Sequence, residues 1–453
     1  MKREPSLRLR YNIVERLYQN ERKVHMNYRQ NEKLSQLNEK TLVVGIDVSK
    51  KFHVARAQDY RGIEFGKSIK FNNNRDGVNE FVMWFKGMMG KESKTEVVIG
   101  MEPTGPYWLP LIRWLSKESY RVVTVNPAAV KKSKELDDNN QAKTDYRDAR
   151  VIAQLVKDGR FTEPNLLEGY YEEVRNAYKV RTMITNELIS FKNRLVNWLD
   201  RFFPEYSECY TNWESNGFLH IIRTYKFPSV IGGMDPKELY NTLIKVYSRG
   251  IGLKKIEKLV EVSGRSIGVT EGLASASLEF DFLISKYDQL NIDLQNIEIY
   301  LDELHQQSNE VKQITEIPGI GLVTASGIVA ELGDIRKYES PRQLSKMAGL
   351  SLTESSSGAK KGQTVISKRG RGKLRRLLYL AVLGMIRSNQ AFKELYEYYT
   401  KRNINPMTGK EAIVVLMNKL LRIIHALITK NVKYDEEKLL RDIIHPSNIV
   451  VIN

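Results

Sequence analysis

The stretch Thr41-Leu-Val-Val-Gly-Ile-Asp47 decides the fold of the first half of the chain. Its apolar run predicts a buried strand that ends at a carboxylate, Asp47. A second run of the same kind, Val97-Val-Ile-Gly-Met-Glu102, ends at Glu102. Two such runs predict a sheet that carries an acidic side chain at the end of each of these strands.

Two further acidic residues lie in the stretch Lys143-Thr-Asp145-Tyr-Arg-Asp148, which predicts the start of a helix. Asp145 and Asp148 are three residues apart, so they share one face of that helix. With Asp47 and Glu102 they predict four carboxylates that converge on one spot. Negative charges that converge repel one another unless a cation compensates them. Mg²⁺, with Mn²⁺ as an alternative, is the expected cation because it prefers carboxylate oxygens as ligands. Such a metal site acts on phosphodiesters.

The composition of the chain indicates a polyanionic partner. The 453 residues include 71 Lys and Arg against 54 Asp and Glu, which gives a net charge of +17. A basic chain of this kind favours nucleic acid, and we expect DNA to be a partner. The single cysteine, Cys209, excludes an internal disulfide framework and fits a reducing cytosol.

The sequence shows no targeting segment or zinc motif. The basic start lacks the apolar segment of a secretory signal, and no uninterrupted run of about 18 apolar residues predicts a membrane span. No Cys/His cluster has the spacing of a zinc site. We therefore expect no membrane association, and a cytoplasmic, nucleoid-associated protein of a prokaryote.

The order of predicted elements indicates an α/β domain over residues 41–165, which follows a basic N-terminal arm over 1–40. Strands are predicted at 41–47, 52–58, 62–69, 96–102 and 121–125, with helices near 76–89 and after Tyr107-Trp108. This β-β-β-α-β-α-β-α order is typical of a mixed sheet covered by helices.

Residues 166–310 show helical periodicity with apolar residues at alternating spacings of three and four. One such seam runs from Val174 to Phe202, and a second runs from Leu283 to Leu304. This pattern predicts two long helices that pair as an antiparallel coiled-coil segment. The insert between them, residues 204–273, contains several Pro and Gly residues and predicts a small helical subdomain.

Residues 311–453 are expected to form an all-α C-terminal domain. The turn Pro318-Gly319-Ile320-Gly321 lies between two helical patterns and predicts a helix-hairpin-helix. Gly319 and Gly321 would let backbone N–H groups approach a phosphate. A Ser/Gly tract and then a basic run follow, and the basic run leads into a predicted helix. Positive side chains at the start of a helix oppose its macrodipole, so we expect these side chains to bind an anion, namely phosphate. The candidate contacts are Lys360, Lys361, Lys368, Arg369, Arg371, Lys373, Arg375 and Arg376.

Several of these motifs together resemble the DEDD transposases of the insertion sequence 110 family. In the first part they are Gly45-Ile-Asp47-Val-Ser-Lys50, Glu102-Pro-Thr-Gly105 and Lys143-Thr-Asp145-x-x-Asp148. In the last part they are Ile317-Pro-Gly-Ile-Gly321, Ser357-Gly358 and Lys368-Arg-Gly370. The resemblance covers about residues 41–165 and 311–430, in the order found in the family.

The resemblance implies a RuvC-like (RNase H-like) domain, a coiled-coil segment and a transposase domain with a serine nucleophile. The four acids fall on Asp47, Glu102, Asp145 and Asp148 as metal ligands, and the serine falls on Ser357. Ser355 and Ser356 stand beside it as alternatives. The family implies a DNA recombinase that is guided by a structured noncoding bridge RNA. It also implies a covalent phosphoserine and a homo-oligomer, from dimer to tetramer, in which acids and serine come from different subunits.

Three other functions fit parts of the sequence. A RuvC-like Mg²⁺-dependent nuclease or Holliday junction resolvase would use the same four acids with water as the nucleophile. An actin- or sugar-kinase-like ATPase fits the run from Val44 to Lys50, but the chain lacks a second Gly-rich phosphate loop. A nucleic-acid-binding scaffold with an inactive site is disfavoured because all four acidic positions are intact.

Overall fold

The structure, a computed structural model, describes residues 30–137, 145–246, 252–306, 308–354 and 364–440. The predicted nucleophile Ser357 and its neighbours Ser355 and Ser356 lie outside these ranges, as do Lys360 and Lys361. Most of the N-terminal arm lies outside them too. The chain divides into two compact units between Leu166 and Leu167.

The first unit is built on a six-stranded mixed sheet, whose strands are β1 Thr41–Asp47, β2 Phe52–Gln58, β3 Glu64–Asn72, β4 Glu96–Met101, β5 Arg121–Val125 and β6 Phe161–Thr162. They lie in the order β3-β2-β1-β4-β5-β6. β1 pairs with β4, and β4 with β5, in parallel, whereas β2, β3 and the short β6 are antiparallel to their neighbours. The predicted mixed α/β domain is therefore confirmed.

Helices cover both faces of this sheet, and the alternation along β1 assigns its side chains to them. Leu42, Val44 and Ile46 pack with helices α1 (Arg75–Lys91) and α2 (Trp108–Lys117) in one core cluster. Val43 points the other way and packs with α3 (Pro127–Asp137) and α4 (Asp145–Lys157) in a second cluster. The carboxyl end of β1 therefore lies between two packed layers.

Helix α4 approaches β1 closely enough to touch its backbone. A Cβ atom at Gly45 would lie 2.1 Å from the carbonyl oxygen of Ala149 and 2.4 Å from the nitrogen of Ala153. Only a glycine opposite two alanines allows this approach. The contact fixes the position of the first turn of α4, because Asp148 precedes Ala149 and Asp47 lies two residues after Gly45.

The second unit contains two long helices, α5 (Tyr170–Phe202) and α10 (Leu273–Gln306), packed side by side in opposite directions. Arg181 lies 2.6 Å from Glu298, and the indole nitrogen of Trp198 donates to the carbonyl of Ala276 at 2.9 Å. The insert packs on one end of this pair through a cluster that includes Trp198 and Phe218. Its elements are a 3₁₀ helix Pro204–Glu208, α6 Asn216–Tyr225, α7 Pro228–Ile231, α8 Pro236–Ile244 and α9 Leu253–Gly264. Whether the pair is a true coiled coil stays a prediction.

The remainder of the second unit is mostly helical, but it is not all-α as expected. The strands β7 (Leu352–Glu354) and β8 (Thr364–Ile366) form an antiparallel pair in which Glu354 is opposite Thr364. The β-branched residues of Thr364-Val-Ile366 favour strand over helix there. The elements are α11 Asn309–Thr315, α12 Leu322–Leu332, a 3₁₀ helix Ile335–Lys337, α13 Pro341–Met347, β7 Leu352–Glu354, β8 Thr364–Ile366, α14 Gly372–Ser388, α15 Gln390–Lys401, α16 Gly409–Lys430 and α17 Glu436–Leu440.

Within the described part of the chain, α16 is the one helix long and apolar enough to cross a membrane. Its apolar side chains, among them Leu416, Leu420 and Ile424, are fully buried in the core cluster of the second unit. Burial in a protein core accounts for the apolar character of this helix without a bilayer.

We expect Gly45→Ala to lower the free energy of unfolding by about 2 to 3 kcal/mol, because the added methyl group overlaps the backbone of α4. Gly87→Ala in α1 is the matched control, since a Cβ atom there meets nothing within 4 Å. The control should be neutral or slightly stabilising in urea unfolding. Equal midpoints for both variants would contradict the close contact.

Candidate active site

Two of the predicted acids lie side by side at one edge of the sheet. Asp47 is the last residue of β1, and the parallel register places Ile46 opposite Met101, so Glu102 follows β4 beside Asp47. Thr104 donates its hydroxyl to a Glu102 carboxylate oxygen at 2.6 Å. Its backbone N–H donates to the Glu102 carbonyl at 2.8 Å. Thr104 thus orients the Glu102 side chain next to Asp47.

The other two acids lie in the first turn of α4. Asp148 is only 5% exposed. Its carboxylate lies 2.6 Å from the ammonium nitrogen of Lys134 on α3. Arg147 donates to the backbone carbonyl of Lys134 at 3.0 Å, which ties the two helices together. The acidic turn is therefore held on β1 by Gly45 and on α3 by Lys134.

The electrostatics of Asp47 show that the four acids are close to one another. Its pKa is raised to about 6, first by burial and then by the negative charges of Asp148, Asp145 and Glu102. The positive charge of Lys134 opposes this shift. The structure thus brings the four predicted carboxylates into one electrostatic cluster.

The four carboxylates are close enough to interact, but their side chains do not form a complete set of metal ligands. Within the described ranges, no three His, Cys, Asp or Glu side chains are arranged as a ready set of ligands. The chemistry of the donors nonetheless fits a hard divalent cation, since all four are carboxylates and three of them add to the effect of burial in raising the pKa of Asp47. A cation would relieve this repulsion.

The segment after Asp47 is held by two residues that the sequence did not single out. The backbone N–H of Ser49 donates to Nδ1 of His53 at 3.2 Å. The side chain of Asn73 donates to the carbonyl of Lys50 at 3.3 Å. Lys50 and Lys51 are exposed on this segment. Their positions near Asp47 are fixed by the backbone.

Lys134 is a third residue that sequence reasoning missed. It is one of three lysines in Lys131-Lys-Ser-Lys134, and nothing in their spacing distinguishes the one that reaches Asp148. The pairing depends on how α3 lies against α4, which is tertiary information.

The basic run contains two kinds of residue. Arg375 donates to the carbonyl oxygens of Ala348 at 3.0 Å and Lys368 at 3.3 Å. Arg371 donates to the carbonyl of Glu331. These two arginines therefore stabilise the fold around the start of α14 through hydrogen bonds to backbone carbonyls. In contrast, the described side chains of Lys368, Arg369, Lys373 and Arg376 are exposed.

The Gly-Ile-Gly turn lies between α11 and α12 as predicted. Gly319 has a φ of 93°, and a Cβ atom there would lie 2.7 Å from the hydroxyl oxygen of Ser388. Gly321 is exposed and is the N-cap of α12, with no side-chain capping bond. The helix-hairpin-helix and its phosphate contacts stay predictions.

The predicted serine belongs to the segment that joins β7 to β8. Because Glu354 and Thr364 are paired, both ends of this segment are held by the second unit. The role of Ser357 stays a prediction.

Two family models of transposases match the chain. Residues 44–204 match the IS110-type DEDD model described as "Transposase". Residues 311–397 match the model described as "Transposase IS116/IS110/IS902 family". The chain belongs to the IS110 family of transposases. It is therefore an enzyme that processes DNA, and the DEDD family suggests a divalent metal.

Relatives differ in how much of the chain they cover. The transposase for insertion sequence element IS1111A of Coxiella burnetii is 33% identical over 30% of this chain and 37% of its own. The insertion element IS116 uncharacterized 44.8 kDa protein of Streptomyces clavuligerus is 23% identical over 85% of this chain and 94% of its own. The pilin gene-inverting protein of Moraxella bovis is 22% identical over 82% and 91%. The two longer matches span both units of this transposase.

We expect Asp47→Asn to stabilise the metal-free transposase at pH 8 by about 1 to 2 kcal/mol, a value discounted for partial exposure. The folded-state pKa of Asp47, about 6, lies above the ordinary 3.8, so the wild type loses stability as the pH rises between these values. The Asp47→Asn variant does not lose this stability, because asparagine carries no titrating group. Thermal unfolding in EDTA at pH 8, pH 5 and pH 3 measures the difference, which should be about half as large at pH 5 and nearly vanish at pH 3, below the ordinary pKa of 3.8. A destabilised variant at pH 8 would contradict the charge crowding.

The neighbours Arg375 and Arg376 should have different roles. We expect Arg375→Ala to cost about 2 kcal/mol of stability, because two backbone carbonyls lose a charged donor. Arg376→Ala should leave the melting temperature unchanged, weaken binding to DNA of any sequence and lower the salt dependence of binding. Unfolding curves and binding titrations at several salt concentrations test both. Loss of binding to only one DNA sequence would contradict a backbone contact by Arg376.

Proposed function

We propose that this transposase excises and inserts a mobile element by Mg²⁺-assisted strand exchange through a covalent phosphoserine, guided by a structured noncoding bridge RNA. The observation that carries the proposal is the electrostatic cluster of Asp47, Glu102, Asp145 and Asp148 in a chain of the IS110 family. The same four residues would hold the cation. A bound Mg²⁺, or Mn²⁺, would withdraw charge from the scissile phosphate and stabilise the leaving oxygen.

The residues of the chain supply the frame for this chemistry. Thr104 keeps Glu102 beside Asp47, and the contact at Gly45 keeps the α4 acids over the end of β1. A site that is assembled before DNA binds needs little reorganisation during the reaction. Exposed Lys50 and Lys51 add positive charge to the segment that follows Asp47, where it would attract the DNA backbone.

The serine step conserves the energy of the phosphodiester. The hydroxyl oxygen of Ser357 attacks phosphorus, a serine–phosphorus ester forms, and the bond to one DNA oxygen breaks. The serine proton leaves to a carboxylate or to solvent, and the leaving DNA oxygen takes up a proton. Attack by a DNA hydroxyl on the ester reverses these steps and restores serine. No ATP is needed, which fits the absence of a P-loop motif from the sequence.

Nucleic-acid binding is proposed to be divided between protein and RNA. The exposed Lys368, Arg369, Lys373 and Arg376, with Lys360 and Lys361, would contact phosphates, and Gly319 and Gly321 would do so through the backbone. Base pairing to the guide RNA would supply sequence choice, so the protein need only recognise backbone and helix shape. The active form is proposed to be a homo-oligomer, from dimer to tetramer.

One observation favours a second function, a RuvC-like nuclease or Holliday junction resolvase. The four acids all lie in the first unit, which needs no serine if water is the nucleophile. The two functions share the metal site and differ in the covalent intermediate.

A denaturing gel tests the proposal with element-end DNA, RNA transcribed from the sequence flanking the gene, and Mg²⁺. Wild type should form a labelled DNA–protein adduct that Ser357→Ala lacks. Asp47→Ala should also form no adduct while it still binds the RNA. Cleaved DNA without an adduct in wild type would instead establish the hydrolytic nuclease.

The matched controls are Ser355→Ala and Ser356→Ala. Both should retain the adduct if Ser357 is the nucleophile. Loss of the adduct in either one, with retention in Ser357→Ala, would move the nucleophile to that serine.

A further inference from the structure

We propose that Lys134 is a displaceable counter-ion of the acidic site, which neutralises Asp148 in the metal-free protein and competes with a divalent cation for that carboxylate. This inference rests on the proposed metal role of the four acids. It adds that the cation must displace or tolerate a positive charge that the chain itself supplies.

The contact between the two side chains is asymmetric. The ammonium nitrogen of Lys134 lies 2.6 Å from a carboxylate oxygen of Asp148. The Asp148 side chain is 7% exposed, whereas that of Lys134 is 31% exposed. The lysine can therefore move its charge into water by rotating its flexible stem, and the carboxylate cannot follow.

The backbone around Lys134 is fixed, which confines the exchange to its side chain. Its carbonyl accepts the hydrogen bond from Arg147. Val130, one turn earlier on α3, is 1% exposed and packs in the core cluster with α4. Displacement of the ammonium group therefore requires no movement of α3.

The charges of Lys134 and Asp148 predict how removal of the lysine changes cation binding and stability. A buried carboxylate without a partner is costly, so Lys134 stabilises the metal-free acidic cluster. A divalent cation that binds Asp148 meets the ammonium as a like charge, which weakens its binding. Removal of the lysine charge should therefore tighten cation binding roughly tenfold and destabilise the metal-free protein.

Calorimetric titration with Mg²⁺ and with Mn²⁺, without DNA, tests the first consequence. Lys134→Gln should bind either cation roughly tenfold more tightly than wild type and melt at a lower temperature in EDTA. Lys134→Arg keeps the charge and should bind as wild type does. Lys132→Gln removes the same charge from an exposed position on the same helix and should change neither property.

A measurement on wild type alone covers the case in which Lys134→Gln does not fold. Limited acetylation followed by mass spectrometry should show faster modification of Lys134 when Mg²⁺ is present, because the ammonium has left Asp148. Lys132 is the internal control and should react at the same rate with and without Mg²⁺.

The outcomes separate this inference from the proposed function. Normal Mg²⁺ binding by wild type, with no tightening in Lys134→Gln and no change in Lys134 acetylation, would overturn the counter-ion role and leave the metal site standing. No binding of Mg²⁺ or Mn²⁺ to wild type or to any variant would overturn the metal role itself, and the counter-ion role with it.

Discussion

The candidate site depends on the backbone contact between β1 and α4 at Gly45. A helix normally rests on a sheet through its side chains, which keeps the two backbones apart. Here the glycine and the facing alanines Ala149 and Ala153 remove that spacing. The first turn of α4 therefore lies directly against the strand that ends in Asp47. The approach of the acidic turn to β1 is therefore set by three residues that carry no charge.

The contact forces the chain to hold negative charges that repel one another. Burial and the neighbouring carboxylates together raise the pKa of Asp47, and the ion pair between Lys134 and Asp148 relieves part of the repulsion. Like charges held close together lower the stability of the folded protein, and a bound cation would relieve this repulsion. Local instability of this kind is common where a protein binds charged ligands.

Much of the first unit could be predicted from the sequence because its strands are short apolar runs with clear ends. Four of the five predicted strands have bounds that differ by at most one residue from those observed, and the helix with Asp145 and Asp148 begins where the acidic pair predicted it. The carboxylates could be recognised because strand ends of parallel strands meet at one edge.

The parts that could not be predicted depend on contacts between distant residues. Nothing local distinguishes Arg375, which binds two carbonyls, from exposed Arg376. The β7–β8 pair was also missed, since its strands are three residues each and flank a Ser/Gly tract that is typical of loops. Short strands are stabilised by their partner, and the sequence of either one alone carries little information about it.

The length of helices α5 and α10 can be compared with the dimensions of a DNA duplex. A helix of 33 residues is about 50 Å long, and the two helices have one core cluster at one end and a different one at the other. At 3.4 Å per base pair, that length equals roughly 15 base pairs, or about one and a half turns of duplex. The contact of the insert at Trp198 and the contact of the other core cluster at Val174 lie 24 residues apart on α5, a distance of about 36 Å, which is close to one helical repeat of DNA.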